Sequence, residues 1–227
     1  MTRAVHPLDR PVWNALGGRQ AGLAITDGPA VRMRPDIGIF AAAADHGEDG
    51  IAALARLAGD DIFATLEETS WPAPPGFTVR RAAPCHQMLL ETLCPPLPPV
   101  DFVELGAGDA PAMLALATLT APGPFRANTH LLGGFIGIMH QGRLVAMAGE
   151  RLKPEGFTEV SGVCTHPDHR GRGHAAALMR IVAERILARG ETPILHSYSD
   201  NAPAIALYER LGFRLRRQMI LTMISSS

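Results

Sequence analysis

The chain is poor in cysteine, in aromatic residues and in excess charge of either sign. Its three cysteines, Cys85, Cys94 and Cys164, form no even-numbered disulfide framework and no paired metal-ligand spacing, so they read as reduced thiols. Aromatic residues are 5% of the total, and the two tryptophans, Trp13 and Trp71, read as packing residues rather than as a ligand cage. With 21 basic and 22 acidic residues the net charge is −1. That balance lacks the basic excess that nucleic acid or an anionic membrane surface would select, so neither partner is expected. The longest nearly apolar run, residues 110–124, is broken by Thr, Gly and Pro and is shorter than the ~20 residues needed to span a bilayer. The opening MTRAVHPLDRPVWNALGG has no apolar core of signal-peptide length, so a cytoplasmic protein is expected. Also missing are the GK[ST] ending of a P-loop, the Gly-x-Ser-x-Gly elbow of serine hydrolases and the HExxH pair of zinc enzymes. Nine histidines are present, but His166 and His169 lie in a turn rather than on one helix face, and no metal is expected.

What is present describes a globular chain of 227 residues, 47% hydrophobic and 19% charged. Its length allows one large domain or two small ones. The proline cluster CPPLPPV (94–100) is stiff and cannot continue a helix or pair in a central strand. It marks a boundary between a smaller α+β segment, residues 1–98, and a second domain, residues 99–227. In the first segment, strands are expected at 22–25 and 30–33 around an Asp27-Gly28 turn, and at 62–66 and 77–82. A helix is expected over 47–59, with Ile51, Leu54 and Leu57 on one face and Gly59 as the stop. No catalytic motif precedes Val100. The second part reads as strand (102–105), helix (109–119, with Asp109 as N-cap and Pro111 in the first turn) and a hairpin (134–139 and 144–149) around HQGR. Then come strand (158–165), helix (173–189), strand (193–198), helix (202–211) and a long strand (213–224). This order mixes antiparallel pairing with αβ crossovers, an α/β (α+β) class.

The stretch VCTHPDHRGRGHAAALM (163–179) carries more glycine and positive charge than a turn needs. A strand there runs into two glycines and two arginines, then into an Ala-rich helix. The first amides of a helix lack partners and carry the positive end of its dipole. Glycine lets a phosphate approach them. A dinucleotide turn would want a third glycine at position 176, which is Ala, and an earlier place in the chain. On the residues alone, a plain surface turn and a diphosphate site both stand.

The run Arg170-x-x-Gly173-x-Ala175 follows a V-x-T-x-P strand end. Together with NAPAIALYERLGF (201–213) it resembles the acetyl-coenzyme A turn and the Asn-x-x-Ala-x-x-x-Tyr-x-x-x-Gly-Phe segment of the GNAT N-acetyltransferase superfamily. The resemblance covers about residues 101–224, and GRLVAMAGERL with CTHPDHRGRG is most similar to the FR47-like subgroup. It implies a GNAT acyl-CoA fold with a mixed, centrally splayed sheet, with residues 1–98 as a degenerate GNAT-like copy. It implies acetyl-CoA as co-substrate, and a small-molecule or peptide amine as acceptor, in a monomer or homodimer. The backbone of Val163, Cys164 and Thr165 would hold the pantetheine arm, and the amides of Arg170, Gly171, Arg172, Gly173, His174 and Ala175 the diphosphate. Asn201 would cap the next helix and reach the coenzyme. Tyr208 would contact the coenzyme and protonate the departing thiolate, since a phenol of pKa ~10 can hand a proton to a thiolate whose thiol pKa is about 8.5. Glu159 is the candidate base, sharing a strand face with Ser161, Val163 and Thr165 and expected to have a raised pKa among apolar neighbours. Glu150 is a second carboxylate that could lead a water chain and His196 a pocket-lining residue; Arg126 reads as a solvated loop arginine, with a partner for an acceptor carboxylate as the other reading. A coenzyme-A-binding sensor of the same fold, without catalysis, stands as the alternative.

Overall fold

The computed structural model describes residues 6–94 and 98–227. Residues 95–97, the middle of the proline cluster, lie outside the described residues, as do residues 1–5.

The first segment opens with helix α1 (Pro11–Leu16) and a three-stranded antiparallel sheet of β1 (Ala24–Asp27), β2 (Ala30–Met33) and β3 (Ala41–Ala43). The β1–β2 turn uses Gly28 at φ 50°, a conformation glycine adopts without steric cost. Helix α2 (Glu48–Ala58) ends at Gly59, also at positive φ. It buries Ala53, Leu54 and Ala58 against Phe63 and Trp71, so Trp71 is a packing residue as expected. Two further strands, β4 (Phe63–Glu67) and β5 (Phe77–Leu90), belong to a different sheet.

The second part supplies β6 (Val103–Leu105), α3 (Ala110–Thr120), β7 (Phe135–His140), β8 (Arg143–Glu150), β9 (Phe157–Thr165), α4 (His174–Ala188), β10 (Thr192–Tyr198), α5 (Ala202–Leu211) and β11 (Phe213–Ser226). The β7–β8 hairpin turns through Gln141 and Gly142, both at positive φ, as a two-residue hairpin loop requires. Asp109 does not cap α3; its carboxylate instead accepts from the Gly106 amide at 2.9 Å and closes the short turn before the helix.

The large sheet has the order β4-β11-β5-β10-β9-β8-β7-β6. The first segment's β5 therefore lies between β10 and β11, antiparallel to both, and the proline cluster does not divide this sheet. β5 runs past the expected 77–82 span to Leu90 despite Pro84. The Pro84 carbonyl accepts from the Ser199 amide, just beyond the end of β10. The N–H that proline lacks would point the same way, so the ladder to β11 loses nothing.

Helices α4 and α5 cover one face of the sheet. Their Leu178, Met179, Val182, Ile186 and Leu211 pack on Ile136, Ile138, Val160 and Leu195. Helix α3 packs the other face, with Met113 and Leu116 on Phe135, Met147 and Cys164. The first segment covers the remainder of that face, through Leu16, Met33, Ile37 and Phe40 on Cys85, Leu152 and Leu221.

β9 and β10 pair in parallel at only three positions, Phe157 with Thr192, Thr158 with Pro193 and Glu159 with Ile194. Beyond these the strands part. On its other side β9 bulges against β8: Met147 pairs Cys164 while Gly149 pairs Ser161, leaving one extra residue on β9. Gly162, at φ 63°, sits in that bulge with the Phe135 ring where a Cβ would be, 2.7 Å away. A bulge of this kind turns the strand and reverses its alternation. Val163 consequently packs on the α4 side with Val160, and not on the face of Glu159, as simple alternation had it.

Gly212 ends α5 at φ 103°, and a methyl there would overlap the Thr92 carbonyl oxygen. Gly212→Ala combines a left-handed strain with a backbone clash and is expected to destabilise the fold by more than about 3 kcal/mol. Melting curves should show Tm falling by roughly 6–12 °C; an unchanged Tm would contradict this packing.

Candidate active site

An open groove of about 880 Å³ lies where α4 and α5 begin. Its wall contains every residue assigned to coenzyme binding: Val163, Cys164 and Thr165 at the end of β9, 170–175 in the turn, and Asn201 and Tyr208 of the following segment. The turn is built for close approach. Gly171 and Gly173 adopt φ 75° and 78°, with nothing near the place of a Cβ. Gly173 is the N-cap of α4 and offers no side chain to its amides, so those donors face the groove. Among the described residues the Arg170 and Arg172 side chains hydrogen-bond only to backbone carbonyls, of Thr165 and Asp168, at 3.4 and 3.5 Å. Asn201 caps α5 by accepting from the Ala204 amide at 3.4 Å, and its residue also lines the groove. The Cys164 side chain packs among Met113, Leu116 and Phe135, and burial pushes its thiol up to about 11. The Thr165 hydroxyl is buried with no partner among the described residues.

The groove leads into a smaller inner cavity, about 100 Å³, through the gap between the parted strands. The two share Pro122, Val163, Tyr198, Asn201 and Tyr208. Beyond the gap the walls are Phe40, Leu66 and Cys85 from the first segment, with Arg151, His196 and Leu221. Tyr208 stands at the junction; burial raises its phenol pKa, opposed by a hydrogen bond with Ser197. A third space, about 10 Å³, adjoins the inner cavity across Ser161 and Gly162 and is walled by Glu150. It suits one water molecule. Glu150 there is ion-paired with Lys153 and Arg189 at 2.7 and 2.8 Å.

Glu159 is not placed as a base. Its side chain is 0% exposed and belongs to the wall of none of these cavities. Arg151 donates to both carboxylate oxygens, through Nε at 2.8 Å and Nη2 at 2.6 Å, and His196 Nδ1 lies 2.7 Å from Oε1. Burial alone would raise its pKa, but Arg151 and His196 outweigh burial and hold it well below the usual carboxylate range. The raised pKa expected from its apolar strand neighbours is thereby reversed. The chain of contacts continues across the sheet. Gln87 Oε1 accepts from Arg216 Nη1 at 2.8 Å, so Gln87 Nε2 must face the Leu8 carbonyl and His196 Nε2, at 2.9 and 3.0 Å. That fixes the neutral His196 tautomer with its proton on Nδ1, toward Glu159.

Arg126 is absent from all three cavity walls and instead pairs with Asp61 at 3.1 Å, which fits the loop arginine and not the acceptor partner. His196 lines the inner cavity as expected. Missing from the sequence reading were Arg151, Phe40, Leu66, Cys85 and Tyr198. None of them carried a local signal: Arg151 follows Glu150 at the end of β8 and precedes Lys153, a charged run that reads as a solvated strand end.

Because its folded pKa is depressed, Glu159 contributes stability that is complete above the ordinary carboxylate pKa and is lost as pH falls toward the folded value. Glu159→Gln is expected to cost about 3–5 kcal/mol at pH 7. The gap to the parent protein should narrow once the pH drops below about 4.3. Melting curves at pH 7 and pH 3 check this; an equal loss at both would contradict an ionised Glu159.

A family described as FR47-like protein matches residues 135–221. Mycothiol acetyltransferase from Saccharomonospora viridis is 32% identical over 107 residues, 47% of this chain and 33% of that protein. The chain thus spans about a third of that relative's length. A GCN5-related N-acetyltransferase structure from Kribbella flavida shares the fold at TM-score 0.62 and 21% identity, over 92% of this chain and 93% of its own. A GNAT-family structure from Novosphingobium aromaticivorans superposes at TM-score 0.92 with 48% identity, covering 98% of this chain and 100% of that one. Among the described residues no helix is long and apolar enough to cross a membrane, and no cluster of His, Cys, Asp and Glu could hold a metal ion. At that identity along a relative's whole length, with the groove and parted strands in place, the chain belongs to the GNAT acetyltransferase family.

Proposed function

We propose that the protein transfers an acetyl group from acetyl-CoA directly to a primary amine. The observation that carries this reading is the continuity of the groove at the start of α4 with the inner cavity, by way of the gap between β9 and β10. The fit to acetyl-CoA rests on this chain's own groups. The uncapped α4 amides suit a diphosphate. The β9 and β10 backbone facing the gap suits an amide-bearing arm. The thioester then lies near Tyr208 and the amine enters from the inner cavity.

Attack of the neutral amine on the thioester carbonyl forms the C–N bond and expels the thiolate, which takes a proton from Tyr208. A raised phenol pKa suits a group that must stay protonated until that moment. The proton lost by the amine leaves past Ser161, through the one-water space, toward Glu150. Most of the rate advantage comes from holding amine and thioester together out of bulk water.

Tyr208→Phe is expected to lower kcat about 100-fold or more, with little change in stabilisation by acetyl-CoA in a thermal-shift assay. A coenzyme-binding sensor would show the shift but no turnover in the parent protein. Stabilisation by NAD or NADP in place of acetyl-CoA would overturn the reading. Glu150→Gln should lower kcat about 100-fold with the KM for acetyl-CoA unchanged; parent-like turnover removes Glu150 from the proton path.

A further inference from the structure

Arg151 is held in an unusual way for a buried cation. The Nε–Nη2 edge of its guanidinium is taken up by Glu159, at 2.8 and 2.6 Å, and its plane lies over the Phe40 ring, 4.7 Å from the centroid. Nη1 makes no hydrogen bond among the described residues, yet it is not among the buried polar atoms left without a partner. It is therefore open, and the space it opens onto is that of the inner cavity and the adjoining water-sized one, both walled by Arg151. Nη2 has a second N–H, so the Nη1–Nη2 edge is a free two-donor fork. A planar fork of this kind matches the two oxygens of a carboxylate.

The surroundings fix what such a fork can be for. Glu159 offsets the Arg151 charge, and His196 is neutral in the tautomer set by Gln87. The floor therefore carries no net charge and a directed pair of donors, an arrangement that suits a zwitterion better than a polycation. The cavity, about 100 Å³, is smaller than the ~150 Å³ that accepts a benzene ring, so it takes one compact end of a molecule. The apolar side of that end would meet Phe40, Leu66 and Leu221.

We infer that the acceptor is a small amine bearing a carboxylate, an amino acid or a close analogue, whose carboxylate sits on the free edge of Arg151 while its amine points to the gap between β9 and β10. This rests on the acetyl-transfer reading and deepens it. Arg151 is then a specificity-determining residue held in place by Glu159, which explains why a carboxylate is buried so completely behind the cavity.

The test compares matched acceptors with acetyl-CoA: α-amino acids, their amides and alkylamines of the same length, followed by mass spectrometry and initial rates. The amino acids should exceed the alkylamines in kcat/KM by about 10–100-fold, the amides falling between. Arg151→Lys, which keeps charge but loses the fork, should abolish that preference through KM. Arg151→Lys could leave Glu159 poorly paired, so the double variant Arg151→Met, Glu159→Gln, which removes both charges, is run beside it and should lose the preference equally. Equal rates for amino acids and alkylamines, or a preference that survives in both variants, overturns the inference while leaving acetyl transfer intact. Stabilisation by acetyl-CoA with no acetylation of any carboxylated amine overturns it also. Failure of acetyl-CoA to stabilise the parent protein overturns the acetyl-transfer reading instead.

Discussion

The parting of β9 from β10 after three residue pairs is the constraint on which the site depends. A strand that leaves its neighbour exposes backbone donors and acceptors, and buried ones must find other partners. Each strand here is secured on its far side, β9 by β8 and β10 by β5. The large sheet thus behaves as two half-sheets joined at Phe157–Glu159 and Thr192–Ile194, with a gap that opens from the α4 side to the face covered by the first segment. The bulge at Gly162 bends β9 away, and the Phe135 ring fills the space that the missing side chain leaves. Without the gap the groove at α4 and the inner cavity would be separate depressions on opposite faces.

Side chains stitch the two half-sheets together where the backbone does not. Glu159 on β9 and His196 on β10 meet at 2.7 Å beside the last paired residues. From there Gln87 on β5 and Arg216 on β11 carry hydrogen bonds to Asp9 near the start of the chain. A network of this sort, buried at Glu159, His196 and Gln87, favours one arrangement over its neighbours, since breaking a buried link leaves a polar group stranded. The same network orients Arg151, so the residues that keep the halves in register also shape the inner cavity.

The parts of the site that were legible in the sequence are those whose chemistry is local. The turn at 170–175 and the segment 201–213 carry their geometry in their own glycines, caps and helix starts, and both wall the groove. The hairpin turn, the α2 stop at Gly59 and the boundaries of α5 follow from the same short-range rules. What was hidden depends on distant partners. Glu159 was judged by its strand neighbours, whereas its pKa is set by Arg151, eight residues earlier, and His196, thirty-seven later. The alternation that grouped Glu159 with Val163 held only as far as the bulge at Gly162. β5 looked short because Pro84 argues against a central strand, and only the end of β10 beside it shows why that proline is tolerated. Phe40, Leu66 and Cys85 had no motif at all; the topology alone brings them to the inner cavity.

The placement of β5 has a consequence for how the molecule is made. This strand is complete at Leu90, but its two flanking strands are β10 and β11, ending at Tyr198 and Ser226. During synthesis the middle of one half-sheet emerges long before either strand that will bracket it, and it closes only once β11 has been made. Loops of more than a hundred residues must be drawn together before those pairings stabilise anything. Until then the nascent chain carries an unpaired fourteen-residue strand, buried at Met88 and Leu90 in the finished fold, a state in which it is open to pairing with the wrong partner.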